Sequence, residues 1–205
     1  LSREVLASAF KYIVLNNKSN NAPYHHFHHM MTVTKWVYLG SGQYPAKMTS
    51  EISTSLVISA MFHDMNHSMG ELPDSENVKN AITAFNKWYT SFVKPPEFVN
   101  PKMVEENIKA TEYPYVVNTV NMTLSQKIIR DADLMVALEP DWFQNIMLGL
   151  TKEFKSDNVS KTIQGNIEFH KNIKMCTSWG ENLYKKHWAD FIETLLDLEI
   201  LFKKD

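Results

Sequence analysis

Cysteine, arginine, glycine and proline are all scarce in this chain of 205 residues, and each scarcity excludes something. With Cys176 as the single cysteine, an internal disulfide and a cysteine-based zinc or iron–sulfur site are ruled out. The only arginines are Arg3 and Arg130, which removes a forked arginine cluster as a phosphate-recognition device. Six glycines and eight prolines argue against a turn-rich sandwich, a barrel or a glycine-rich phosphate loop. Charge of one sign is also lacking. The 21 basic and 23 acidic residues leave a net charge of −2, with no electrostatic footprint for nucleic acid or an anionic membrane. No apolar run approaches the roughly 20 residues needed to cross a bilayer. No signal peptide is legible at Leu1, so the expected setting is reducing and cytoplasmic.

What is present is helical periodicity. Hydrophobic residues make up 44 % of the chain, enough to bury a sizeable core without staples, so a metal here would serve function rather than folding. Leu6, Phe10, Ile13 and Val14 form the stripe of a first amphipathic helix. Asn16 to Pro23 reads as a polar connector, and Tyr24 to Leu39 as a helix ending near Gly40-Ser41-Gly42. Thr49 or Ser50 can cap a third helix, whose segment Leu56 to Phe62 is apolar nearly all round and belongs in the core. Further helices are expected over Ser75–Phe92, Pro101–Thr111, Leu124–Leu138, 141–156, 161–176 and 181–202, with an irregular stretch from Glu112 to Thr119. No alternating strand or repeat is visible. The expectation is one all-α domain over residues 1–205, with a metal-site core at about 20–140 and C-terminal helices 141–205 packed on it.

Six of the eight histidines (His25, His26, His28, His29, His63 and His67) fall within one short stretch of the chain. Histidine ligates metals and moves protons near neutral pH. On a helix, His25 and His29 would lie within about 40° of each other. His63 and Asp64, about 100° apart, can grip a metal from neighbouring directions, and His67 returns one turn later. Asp131 and Asp133 are embedded in an apolar helix, where buried carboxylates need a cation or hydrogen-bond donors. They sit about 200° apart, so only one can face a metal.

The segments Pro23-Tyr24-His25…His29, His63-Asp64-Met65-Asn66-His67 and Ala132-Asp133-Leu134 resemble, in order, three motifs of the HD superfamily of metal-dependent phosphohydrolases. The likeness is greatest to the cyclic nucleotide phosphodiesterase branch. The resemblance implies an all-α domain of the HD type with His29, His63, Asp64 and Asp133 as metal ligands. It implies His25 and His67 as catalytic residues: His25 protonates the leaving oxygen, and His67 helps orient a bridging water or the waters of a second metal. It further implies Zn, Fe, Mn or Ni in the tight site and Mg or Mn in a looser one at Asp64. The implied reaction is attack of a metal-activated water on the phosphodiester of a small or cyclic nucleotide. A nucleotide phosphomonoesterase, a triphosphohydrolase and a non-catalytic nucleotide-binding HD domain are the alternatives.

Two departures from the branch stand out. His26 occupies the place of an asparagine, and Gln164 is the only glutamine well downstream of Asp133, where the branch carries a base-clamping glutamine. The remaining features read as structure. His26 and His28 are expected to be structural or superficial, His170 and His187 carry no motif, the methionines are expected in the core, and the tryptophans in the core or a pocket wall.

Overall fold

The computed structural model describes residues 2–115, 117–156 and 158–202. Leu1, where no signal peptide is legible, and Val116, inside the stretch expected to be irregular, lie outside the described residues. Helix α3, Ser50–Phe62, organises everything else. The Thr49 hydroxyl caps it by accepting the Ile52 N–H at 3.2 Å. Every residue from Thr54 to Phe62 is buried, so α3 beyond its first turn has no solvent face and must be wrapped on all sides. The wrapping is done by α1 (Arg3–Asn16), α2 (Phe27–Ser41), α4 (Asp74–Thr90), α5 (Pro101–Lys109) and α6 (Leu124–Leu134). Fully buried Leu56, Ile58 and Phe62 each contribute about 1.5–3 kcal/mol through apolar burial. The α3 serines are satisfied rather than stranded. Ser59 donates to the Ser55 carbonyl at 2.7 Å and accepts from Asn107 of α5 at 3.1 Å.

The remaining elements are α7 (Gly149–Glu153), α8 (Val159–Asn172) and α9 (Ser178–Phe202). Helices α8 and α9 pack on each other, and α9 returns to α6. One hydrophobic core extends from Val5 to Leu195, and no strand occurs among the described residues. The protein is all-helical. No described helix is long and apolar enough to cross a membrane.

Four sequence expectations are corrected. Helix α2 starts at Phe27 rather than Tyr24, because a distant carboxylate, Glu153, takes the backbone N–H groups of Tyr24 and His25 at 3.0 and 3.1 Å. The chain stays bent there, and His26 becomes the cap of α2, its ring accepting the His29 N–H at 3.4 Å. The His63–His67 segment is likewise a turn beyond α3. Asn66 takes a left-handed φ of 65° that asparagine tolerates. Its N–H donates to Asn17 at 2.9 Å, and its side-chain oxygen accepts the Lys18 N–H at 2.8 Å. The helix expected over Leu124–Leu138 tightens into a 3₁₀ turn at Met135–Leu138. The one expected over 141–156 opens as a π-helical turn, Phe143–Leu148, before the short α7.

Candidate metal centre

Three separate segments bring four side chains together. His29 comes from the first turn of α2, His63 and Asp64 from the turn that ends α3, and Asp133 from the last turn of α6. The Nε2 atom of His29 lies 2.9 Å from Asp64 and 3.3 Å from Asp133. That of His63 lies 3.1 Å from Asp64 and 3.7 Å from Asp133, and the two Nε2 atoms are 3.3 Å apart. Both rings are buried, while the two carboxylates line an open cavity of about 470 Å³.

The donor set fits a cation. His63 Nδ1 donates to the Ala60 carbonyl at 2.8 Å, which leaves its Nε2 with a lone pair aimed at carboxylate oxygens. Acceptors facing acceptors require a positive charge between them, either as ring protons or as a metal ion. Burial alone would lower the His29 and His63 pKa values, but Asp133 and Asp64 outweigh it and raise both. Burial would likewise raise the carboxylates, yet the two rings hold Asp64 and Asp133 well below the usual range. His29, His63 and Asp64 could therefore hold a metal ion, with Asp133 positioned as a fourth donor. His29 Nδ1 has no hydrogen-bond partner among the described residues, so nothing there fixes its tautomer from behind.

Asp131, the other candidate carboxylate, is committed elsewhere. It accepts the Cys176 and Thr177 N–H groups at 2.7 and 2.9 Å and the Thr177 hydroxyl at 2.6 Å, tying the start of α9 to α6. Burial pushes its pKa up against those hydrogen bonds. A Cβ on Gly180 would lie 2.3 Å from Asp131 Oδ2, so only glycine permits this approach.

Beside the four-residue cluster lies a second group, His25, His67 and Glu153, also close enough to hold an ion. The His25 and His67 rings stack 3.7 Å apart at 23°. Glu153 is buried beneath them. One of its oxygens bonds the His25 ring and lies 3.4 Å from His67, while the other takes the two backbone N–H groups at the start of the bend. Burial opposes charge on Glu153, but the bonds from His25 and His67 hold its pKa far below the usual carboxylate range. With both oxygens engaged, Glu153 ties His25 and His67 to the bend as one hydrogen-bonded unit. Gly149 makes it possible, because a Cβ there would stand 2.8 Å from the Pro23 carbonyl and push α7 off the bend.

Glu153 is the residue that sequence reasoning missed. It had a faint signal: Ile146, Leu150 and Glu153 follow an i, i+4, i+7 pattern, placing a glutamate on an apolar stripe. His67 sits over Glu153 with its Nε2 at 2.9 Å from the Asn77 amide, not over the four-residue cluster. His28 is an exposed partner of Asp141, and Gln164 bonds Glu199 at the exposed surface, so neither lines the cavity. No family model, no curated protein and no solved structure matches this chain.

Proposed function

We propose that the protein is a divalent-metal-dependent phosphohydrolase of the HD type, acting on the phosphodiester of a small or cyclic nucleotide. The observation that carries this reading is the pairing of a two-histidine, two-carboxylate cluster with a histidine held by a buried glutamate, both opening on one cavity. His29, His63, Asp64 and Asp133 would hold the ion, and Asp64 would be shared with a second one. A bound divalent ion supplies acidified water and neutralises phosphoryl oxygens.

The chain's own residues do the rest. Ionised Glu153 keeps the proton on His25 Nδ1, which turns His25 Nε2 toward the leaving group. As the imidazolium, His25 delivers a proton from Nε2 to the departing ester oxygen. His67 stacks on His25 and limits its tilt. Phe154, Phe169 and Tyr113 give the cavity an aromatic wall.

Neither lysine nor arginine appears among the described lining residues. A triphosphate would bring several charges with no side-chain cation to meet them, whereas a diester brings one. This favours the diester over the triphosphohydrolase alternative. The prepared His25–Glu153 pair favours an enzyme over a non-catalytic binder.

The test is hydrolysis of bis(p-nitrophenyl) phosphate and p-nitrophenyl phosphate by protein supplemented with Mn, Zn, Fe, Ni or Mg, followed by cyclic and linear nucleotides. Metal-dependent cleavage of the diester over the monoester is expected. The reverse order supports the phosphomonoesterase alternative. A protein that gains nothing from any metal ends the enzymatic reading.

A further inference from the structure

Helix α8 contributes Gly165, Asn166, Phe169 and His170 to the cavity wall, and the polar groups of that wall share one property. Asn166 Nδ2 donates to the Thr162 carbonyl one turn back, at 2.9 Å. A carbonyl can only accept, so the amide orientation is fixed and Asn166 Oδ1 is left as an unused acceptor beside the second Nδ2 hydrogen.

His170 is only 3 % exposed. Its Nδ1 lies 2.9 Å from the Tyr184 hydroxyl, which in turn lies 3.1 Å from the His170 carbonyl. The phenol has one proton. Given to the carbonyl, it leaves the phenol oxygen to accept Nδ1–H, and both contacts are satisfied. Given to the ring, it would leave two oxygens facing each other at 3.1 Å. The first assignment makes Nδ1 the protonated nitrogen and Nε2 an acceptor. Burial lowers the His170 pKa to about 4, in keeping with a neutral ring.

Asn166 and His170 are four apart on α8 and so lie on one face, about 5–6 Å from each other at Cβ. Between them and beside them the wall is apolar and aromatic, with Phe169 against Tyr113 at 5.4 Å. We propose that Asn166 Oδ1 and His170 Nε2 form a pair of acceptors that selects ligands whose aromatic ring carries an exocyclic amino group. Two acceptors can take the two hydrogens of one such group, or an amino hydrogen and a neighbouring ring N–H. A ring that offers only acceptors or C–H at that edge leaves both acceptors without a donor, and for buried His170 that is costly. The proposal rests on the nucleotide reading for its ligand class, yet it uses none of the metal cluster.

The experiment measures calorimetric binding of adenosine and of purine riboside, which lacks only the amino group, to the full chain. It is run beside the bis(p-nitrophenyl) phosphate assay, whose substrate has no base. Adenosine is expected to bind roughly tenfold or more tightly, the gap that one satisfied hydrogen-bond pair supplies. N166L and H170F should each narrow that gap, while H170Q, which restores an acceptor, should widen it again relative to H170F. Equal affinity of the two nucleosides for the wild-type chain, or no binding of either, overturns the proposal whether or not the variants fold. Diester cleavage with equal nucleoside binding sinks this proposal alone. Selective adenosine binding without metal-dependent cleavage sinks the hydrolase reading alone.

Discussion

The Nε2 atom of His63 stands 3.3 Å from that of His29, and each faces an oxygen of Asp64 about 3 Å away. The arrangement makes a metal-content prediction direct. Dialysed protein should retain a divalent ion by elemental analysis, and D64A and D133A should each lower its affinity by roughly tenfold or more. D131A should keep the metal. Loss of metal from D131A with retention in D133A would reverse the assignment of the two aspartates.

Glu153 touches His25 and not the cluster of His29, His63, Asp64 and Asp133, so its effect should separate from metal binding there. E153Q is expected to cut turnover about 10- to 100-fold, with metal content unchanged and KM little affected. E153D, which keeps the charge on a shorter arm, should recover part of the loss. If E153Q strips the metal instead, the glutamate is a ligand and the orienting role is lost.

The contact between Asp131 and the start of α9 predicts stability changes without chemistry. D131A leaves the Cys176 and Thr177 N–H groups without their acceptor and should cost on the order of 1–3 kcal/mol in urea unfolding. G180A removes no bond, but its new Cβ meets the same carboxylate at 2.3 Å, so it should destabilise comparably. In the double variant the two costs should fall short of additive.

His170 should make stability depend on pH. Its ring is neutral in the fold and has a pKa of about 4, against the ordinary value of 6.5. Above pH 6.5 both folded and unfolded chains hold it neutral, and its contribution is intact. As pH falls from 6.5 through 4 the unfolded chain takes up the proton first, so stability is lost, by up to on the order of 3 kcal/mol. Urea midpoints of the wild type and H170Q, compared at pH 7 and pH 5, should differ more at pH 5 than at pH 7 in the variant's favour. A constant difference across that window removes the assignment.

The sequence spoke clearly where a single helix carries its own pattern. The apolar run of α3, the Thr49 cap and the 200° separation of Asp131 and Asp133 are local facts, and local physics decides them. It spoke poorly where a distant group intervenes. Tyr24 and His25 belong to a helical pattern, but Glu153 captures their backbone N–H groups from more than 100 residues away and holds the chain in a bend. For the same reason the face shared by His25 and His29 on paper does not exist, and His25 joins His67 and Glu153 instead. His170 looked ordinary because its acceptor role depends on Tyr184, a partner on another helix.

The approach of α7 to the Pro23 bend, made possible by Gly149, divides the chain's labour. The four charge-gathering side chains come from residues 29 to 133, while the partner of His25 and the α8 wall come from residues 153 to 170. Substitutions in the later stretch can reshape what fits the cavity while leaving the gathered charges untouched. A fragment ending near residue 140 would keep every recognisable motif, yet lose both the glutamate under His25 and the α8 wall of the cavity.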